Sequence, residues 1–416
     1  MEHPFTYIDN ALHAEGVGLD RIARRAGTPC YVYSSAGILG RYRAYDQAFG
    51  AVPHQVCYAV KANSNLAVLS LLAKAGAGFD IVSGGELFRV LKAGGDPSRI
   101  VFSGVGKTAP EVEYALETGI HGFNCESEAE LSLIDALAAR LGKKARVALR
   151  VNPDVNPETH EYISTGLREN KFGIAIEEVE AVYERARWHK HLILDGVSCH
   201  IGSQLLNPSP LLEALDLVLA LVERLRAAGI PIRCLDLGGG IGVPYQAGEA
   251  APSIAEYIAS ICARAQGHDL ALMVEPGRSL VAESGILLTR VLYRKRNGPK
   301  EFIIVDAAMN DLVRPSLYEA YHEILPVKRD SSRGITTADI VGPVCESGDF
   351  LARDREVANF LPGDLMALAT TGAYGFVMSS NYNTRPRAAE VLVDGDSWRV
   401  VRQRESMEDM IRGESV

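Results

Sequence analysis

The stretch Gln55-Val56-Cys57-Tyr58-Ala59-Val60-Lys61-Ala62-Asn63 is a short, mostly apolar run that ends on a lysine and an asparagine. It is the first of eight candidate strands that alternate with helix-like segments between Ser35 and Arg278. The eight candidate strands are Gln55–Val60, Gly78–Val82, Arg99–Ser103, Ile120–Asn124, Ala145–Val151, Leu194–Cys199, Ile232–Leu237 and Leu270–Glu275. Repeated strand–helix alternation predicts parallel strands joined by crossover helices. Eight units in about 240 residues match a (β/α)8 barrel, and a doubly wound open sheet is the competing interpretation.

The segments between these strands carry apolar residues at helical spacing. In Pro210–Ala228, for example, Leu211, Leu215, Val218 and Val222 recur every three or four residues, which is typical of an amphipathic helix. The other predicted helices are Leu66–Ala75, Gly85–Ala93, Glu111–Thr118 and Ser127–Leu141.

After Arg278 the pattern changes to strands without long helices between them. The predicted strands are Ile286–Tyr293, Glu301–Asp306, Thr337–Val341, Leu365–Ala369 and Ala388–Val393. We therefore expect an α/β barrel over residues 35–280 and a mostly-β domain, a barrel or sandwich, formed by residues 1–34 and 281–416.

Composition excludes several classes of function. The chain has 416 residues, of which 47% are hydrophobic and 23% charged, and its net charge is −9. The chain has no basic run that would indicate a nucleic-acid partner. It also has no apolar run of about 18 residues, which a membrane span would need. Seven scattered cysteines suggest neither a disulfide framework nor a metal site. No signal peptide is recognisable at the N-terminus, so we expect a cytoplasmic protein.

Unusual residues follow several of the predicted strands. Lys61 follows the first strand, His200 the sixth, Gly238-Gly239-Gly240 the seventh, and Glu275-Pro276-Gly277-Arg278 ends the eighth. Because barrel active sites form at the C-terminal ends of the strands, these residues predict one shared site.

Each of these residues has a structural and a chemical interpretation. A lysine at a strand end commonly extends its amine to solvent, but an amine at a barrel mouth can also act as a nucleophile that forms a Schiff base. Gly238–Gly240 can form a tight turn, or they can let the backbone approach a phosphate. Glu275 can pair with Arg278, or it can keep a pyridine nitrogen protonated. His200 can be a buried core histidine or can stack on a flat ring.

The motifs Tyr58–Asn63, His200–Gln204, Asp236–Gly242 and Glu275–Ser279 resemble those of the fold-type III decarboxylases, which use pyridoxal 5′-phosphate (PLP) on an alanine-racemase-like barrel. The resemblance implies that Lys61 holds PLP covalently, that His200 stacks on its ring and that Glu275 contacts the pyridine nitrogen. It also implies a phosphate site made by Ser203, Gly239, Gly240, Gly277 and Arg278.

Three motifs of the C-terminal region resemble the branch of that family that acts on diaminopimelate. They are Asp306–Tyr318, Gly342–Asp349 and Gly372–Gly375. By this resemblance, Cys345 is the catalytic proton donor, and Tyr374 touches both cofactor and substrate. The remaining substrate contacts that it implies are Arg278, Arg314, Tyr318 and Glu346. The implied reaction converts meso-2,6-diaminopimelate into L-lysine and CO2, in a homodimer whose active sites take residues from both chains.

Three other functions stay open at this point. A decarboxylase of ornithine, lysine or arginine would have no distal carboxylate for Arg314 and Arg278 to bind. A racemase on the same barrel typically places an arginine, rather than Glu275, at the pyridine nitrogen. A binding protein without catalytic activity would have no need for the combination of Lys61 and Cys345.

Overall fold

The computed structural model describes residues 3–156 and 170–416. The chain divides into two compact units. The barrel unit comprises Arg41–Val243 and Ala250–Ser279, and the sheet unit comprises Met1–Gly40, Pro244–Glu249 and Leu280–Val416.

The barrel unit is a closed cylinder of eight parallel strands. Each strand pairs with the next, and the eighth pairs with the first, so the cylinder has no open edge. The strands are His54–Ala59, Gly78–Ile81, Ile100–Phe102, Gly122–Cys125, Ala145–Asn152, Leu192–Cys199, Cys234–Asp236 and Ala271–Val274. A two-residue strand, Ile174–Ala175, pairs with the fifth of them.

Helices connect consecutive barrel strands. They are Leu66–Lys74, Gly84–Lys92, Ala109–Thr118, Glu128–Arg140, Ile176–Ala186, Ser209–Ala227 and Ile254–Ala265. Helix Ser35–Ala48 precedes the first strand, and the short helix Arg278–Val281 follows the last. Asn65, Ser83, Ser127 and Ser253 each cap a helix N-terminus with a side-chain oxygen that accepts a backbone N–H, which fixes where those helices begin.

The sheet unit is built on strands from both ends of the chain. Strand Cys30–Ser34 is entirely buried; it pairs antiparallel with Gly285–Asn297 and parallel with Ala389–Asp394. Apolar residues such as Ile22, Ile286 and Val391 pack together beside it. This burial is what holds the N-terminal segment in the C-terminal sheet.

The remaining elements of the sheet unit are short. Its other strands are Phe5–Ile8, Ala11–Ala14, Val17–Gly18, Lys300–Val305, Ile324–Pro326, Ile335–Val341, Phe350–Ala358, Leu365–Leu368 and Ser397–Arg402, and its helices are Leu19–Ala26, Arg314–Tyr318 and Met407–Met410. Among the described residues, single 3-10 turns are Val60–Ala62, Pro97–Arg99, Ser331–Arg333, Phe376–Met378 and Tyr382–Thr384.

The predicted fold class is confirmed, because all eight predicted strands form one closed parallel barrel and a separate unit is mostly β-sheet. The doubly wound alternative is wrong, since an open sheet would leave two edge strands. The boundaries at residues 35 and 280 stay a prediction. None of the helices in the described ranges is long and apolar enough to cross a membrane.

Candidate active site

The amine of Lys61 lies at the mouth of the barrel beside a buried carboxylate. Lys61 is in the 3-10 turn Val60–Ala62 that directly follows the first strand. Its Nζ atom donates to Oδ2 of Asp80, from the second strand, at 2.9 Å, and Asp80 has no exposed surface. The other oxygen, Oδ1, has no hydrogen-bond partner among the described residues. A buried carboxylate with an unused acceptor attracts a further donor or cation, so the Lys61–Asp80 pair marks a polar site at this end of the barrel.

Two further carboxyl groups meet inside the barrel. Glu275, just past the eighth strand, accepts from Asn124 Nδ2 at 3.2 Å and from Ser103 Oγ at 3.4 Å. The same Asn124 nitrogen donates to Oδ2 of Asp236 at 2.9 Å, and the backbone N–H of Gly238 donates to Oδ1 of Asp236 at 2.9 Å. Asn124 therefore links the Glu275 and Asp236 carboxyl groups into one network.

Burial raises the pKa of Glu275 well above its ordinary value, and the nearby charges of Asp236 and Asp80 raise it further. Burial also raises the pKa of Asp236. Two carboxyl groups this close in a low dielectric hold a proton more tightly than either would alone. A positively charged group placed at Glu275 would relieve this repulsion and restore the carboxylate.

His200 follows the sixth strand and is held as a neutral ring. Its Nδ1 atom accepts from the backbone N–H of Gly239 at 3.2 Å. Burial lowers the pKa of His200 well below its ordinary value, and the positive charges of Arg150 and Lys61 add to the effect. Arg150 in turn donates to the His200 carbonyl at 3.3 Å and forms a 2.9 Å ion pair with Glu126. The imidazole thus presents a flat, uncharged face.

The glycines after the seventh strand allow a close approach of backbones. A Cβ atom on Gly239 would lie 2.5 Å from the carbonyl oxygen of Glu275. Gly240 has a φ of +128°, a conformation that side chains disfavour. Close by in the barrel unit, Arg278 Nη2 donates to Ser203 Oγ at 3.1 Å. A guanidinium, a hydroxyl and a glycine-rich loop are donors suited to a phosphate.

Pyridoxal phosphate fits the residues of the barrel unit. A cavity of about 410 Å³ is lined by Lys61, Ser103, Asn124, Arg150, His200 and Glu275, among others. Three of these residues match parts of the cofactor. The Lys61 amine can react with the aldehyde, and the His200 imidazole offers a flat face to the ring. The Glu275 carboxyl group ionises more readily when a positive charge, such as a protonated pyridine nitrogen, lies beside it. Gly277 has little room for a side chain, because an added Cβ would lie only 3.1 Å from the side chains of Ala59 and Ala62.

The sheet unit holds the predicted arginine of the substrate site. Arg314 starts the helix Arg314–Tyr318, and only 6% of its surface is exposed. Its guanidinium carbon lies 5.2 Å from the ring centre of Tyr245 and 5.8 Å from that of Tyr318. A guanidinium between aromatic rings is confined without losing its charge.

The other predicted residues of the sheet unit lie on turns. Cys345 and Glu346 are exposed, and the Cys345 N–H donates to Asn383 Oδ1 at 2.8 Å. Asp349 fixes this turn by accepting the N–H of Val344 at 2.7 Å. The half-buried Tyr374 has a φ of +54°. Cys345 is therefore an exposed cysteine on a turn that these hydrogen bonds fix.

Sequence reasoning missed four polar residues of the barrel unit that contact the predicted ones, namely Asp80, Asn124, Arg150 and Asp236. All four lie on barrel strands. Strands buried on both faces are normally continuous apolar runs, so a polar residue near the C-terminal end of such a run was the available signal. The structural alternative for Glu275 is also wrong, because its described partners are Asn124 and Ser103 rather than Arg278.

Comparison with known proteins identifies close relatives over the whole chain. Residues 35–282 match the family described as pyridoxal-dependent decarboxylase, pyridoxal binding domain. A diaminopimelate decarboxylase of Pseudomonas aeruginosa is 59% identical over 413 residues, which cover 99% of each chain.

Two solved structures share the fold closely. The diaminopimelate decarboxylase of Helicobacter pylori, complexed with L-lysine, is 46% identical, with a TM-score of 0.91 over 95% of this chain and 98% of that one. The M. jannaschii diaminopimelate decarboxylase, also in complex with L-lysine, is 38% identical, with a TM-score of 0.94 over 99% and 98% of the two chains.

Proposed function

The chain belongs to the pyridoxal-dependent decarboxylases, and within them to the diaminopimelate decarboxylases, and from that membership we propose how its residues convert meso-2,6-diaminopimelate into L-lysine and CO2. This reaction is the last step of lysine biosynthesis. The observation that carries the assignment of roles is that Lys61 and Glu275 line one cavity of the barrel unit, with the Lys61 amine held by the buried carboxylate of Asp80. The Lys61 amine suits the aldehyde of PLP, and the Glu275 carboxyl group suits its pyridine nitrogen.

When bound, PLP supplies an aldehyde that captures the substrate amine and a ring that accepts the electron pair left by the departing CO2. In the barrel unit, Lys61 Nζ would hold the cofactor covalently, and Asp80 would accept a hydrogen bond from the Lys61 amine after the substrate has taken its place. Glu275 would keep a proton at the pyridine nitrogen, and His200 would pack its neutral ring on the cofactor. The phosphate would be bound by Ser203, Gly239, Gly240, Gly277 and Arg278.

Most of the proposed substrate contacts belong to the sheet unit, and Arg278 belongs to the barrel unit. Because meso-diaminopimelate has one D and one L centre, formation of L-lysine requires that the D centre loses CO2 and that the L centre is retained. Arg314 and Arg278 grip the retained carboxylate, with Tyr318 beside it, and Glu346 binds the retained ammonium. Cys345 Sγ delivers the proton to the carbon that lost CO2, and Tyr374 contacts both cofactor and substrate.

The alternatives fit these residues less well. A racemase must limit the electron demand of the ring, whereas Glu275 increases it. A substrate such as ornithine, lysine or arginine lacks the distal carboxylate that Arg314 would bind, and the loss of one partner of a buried charge pair costs about 2–5 kcal/mol.

We further propose a homodimer in which each site takes the Cys345 turn from the partner chain, the isologous arrangement commonest among oligomers. The seven cysteines are all unpaired thiols, which supports a reducing, cytoplasmic location. The substrate is a small molecule, and the net charge of −9 gives no support to a nucleic-acid partner.

The test is a product analysis of the purified protein supplied with PLP. Incubation with meso-diaminopimelate should release CO2 and L-lysine in equal amounts. Release of CO2 without lysine, or no release at all, would contradict the proposal. Substrate racemisation in place of CO2 release would favour the racemase.

A further inference from the structure

His322 is a buried histidine of the sheet unit that none of the roles above uses. It follows the helix Arg314–Tyr318 and has no exposed surface. Its Nδ1 atom lies 2.9 Å from the carbonyl oxygen of Ala369. Because a carbonyl oxygen only accepts hydrogen bonds, Nδ1 carries the proton and Nε2 is the acceptor of the ring.

That acceptor faces Arg314. The Nε atom of Arg314 donates to Nε2 of His322 at 3.4 Å. The imidazole therefore contacts the guanidinium at its Nε edge, which is opposite the end where Nη1 and Nη2 form a fork. The tautomer that the Ala369 carbonyl selects is the one that this contact requires.

Other contacts hold the histidine itself in place. The ring of Tyr245 meets the His322 ring edge-on, with centres 5.4 Å apart and planes at 89°, and the same tyrosine lies beside the Arg314 guanidinium. Arg355 Nη1 donates to the backbone carbonyl of His322 at 2.9 Å. These contacts fix both the backbone and the ring of His322, and they do so independently of its contact with Arg314.

We infer that His322 is a positioning residue for substrate specificity, which holds Arg314 by its Nε edge so that Nη1 and Nη2 grip the retained carboxylate of the substrate. This inference rests on the proposed function, because it assigns that carboxylate to Arg314. A flexible arginine loses much rotamer freedom when it binds, and a preorganised one loses less.

The choice of histidine has a chemical reason. A carboxylate would hold the same guanidinium edge, but it would also cancel part of the positive charge that attracts the substrate. A neutral imidazole orients the arginine and leaves its charge intact. The contact requires the neutral ring, because a protonated imidazole has no acceptor at Nε2 and would repel Arg314.

The test uses two binding probes that differ by one group. L-Lysine carries the retained carboxylate, and cadaverine is the same diamine without it. In the PLP-loaded enzyme, His322→Asn keeps a donor for the Ala369 carbonyl but is too short to contact Arg314. We expect it to weaken L-lysine binding at least tenfold and to leave cadaverine binding within about twofold.

A matched variant and a kinetic readout complete the design. His322→Gln reaches the position of Nε2 with an amide oxygen, so it should recover most of the L-lysine affinity. In His322→Asn the KM for meso-diaminopimelate should rise while kcat changes little. If His322→Asn does not fold, His322→Phe, which fills the space without an acceptor, must show the same split between the two probes.

Unchanged L-lysine affinity in a folded His322→Asn or His322→Phe enzyme would overturn the inference, as would equal weakening of both probes. Failure of the proposed function is a separate result, because it would show as an inactive parent enzyme.

Discussion

The Nζ atom of Lys61 lies 2.9 Å from Oδ2 of Asp80, a carboxylate with no exposed surface. The ion pair joins the end of the first barrel strand to the second strand, so it is positioned by the barrel itself and not by a flexible loop. The second oxygen of Asp80 has no hydrogen-bond partner in the described residues, so the buried carboxylate keeps a further acceptor beside the Lys61 amine.

Replacement of this lysine should separate cofactor chemistry from folding. We expect Lys61→Ala to fold but to lose both the near-visible absorption of the lysine-bound cofactor and its activity, because no other amine is at this position. Absorption spectra and CO2 release measure the two effects. Lys74→Ala, on the exposed end of a helix, is the control. Full activity of Lys61→Ala would remove the basis for the cofactor assignment.

Gly239 should not tolerate any side chain. In Gly239→Ala the new methyl would lie 2.5 Å from the carbonyl oxygen of Glu275, a backbone atom that cannot rotate away. We expect a stability loss of about 1–3 kcal/mol, typical of overpacking, and PLP binding at least tenfold weaker. Thermal melting and PLP titration measure these effects. In the control Gly85→Ala, the nearest atom is Ser83 Oγ at 3.7 Å, so both properties should stay near those of the parent.

The pKa of Glu275 predicts a pH dependence of stability. Its pKa is raised in the folded, cofactor-free protein by burial and by Asp236 and Asp80. The folded state therefore keeps a proton that the unfolded state releases near its ordinary pKa of about 4.3. Stability that is present below this pH is lost as the pH rises through the raised value.

The variant Glu275→Gln has no such proton to lose. The melting temperature of its cofactor-free form should therefore fall less between about pH 5 and about pH 8 than that of the parent. Glu117→Gln, at an exposed helix position, should behave like the parent. Parallel melting curves for Glu275→Gln and the parent at every pH would show that Glu275 ionises normally.

Shared active sites predict complementation between two inactive variants. Lys61→Ala and Cys345→Ala are mixed, unfolded and refolded together. Half of the dimers are then mixed, and each mixed dimer has one intact site, so activity should recover to about a quarter of the parent level. If each site takes all its residues from one chain, no intact site forms, and the mixture stays as inactive as its components.

The barrel was predictable because its signal is local and repeated. Apolar strands followed by amphipathic helices require parallel pairing, and the order of the strands then places Lys61, His200 and Glu275 at one end. The strands Phe350–Ala358 and Ser397–Arg402 were missed because charged residues occupy many of their positions. The fully buried strand Cys30–Ser34 depends on pairing with residues some 250 and 360 positions away, which no local pattern reveals.

The residues of the candidate site also divide into those that the sequence predicts and those that only the structure reveals. Lys61 and the glycines after the seventh strand stand out in the sequence by their residue type and position. Asn124 and Asp236 do not, because their importance comes from contacts between distant parts of the chain: Asn124 donates to both Asp236 and Glu275. His322 acts through Arg314, eight residues away, and a single histidine in a loop carries no sequence signal of that role.

The central claim is that the protein decarboxylates meso-diaminopimelate, and the most direct measurement is kcat/KM for CO2 release from meso-diaminopimelate and from ornithine by the same PLP-loaded preparation. We predict a preference for meso-diaminopimelate of about thirtyfold or more, since ornithine lacks the carboxylate that Arg314 binds and the loss of one partner of a buried charge pair costs at least about 2 kcal/mol. Arg314→Ala should reduce this preference, mainly through a higher KM. Equal kcat/KM values for the two substrates in the parent enzyme would contradict the account.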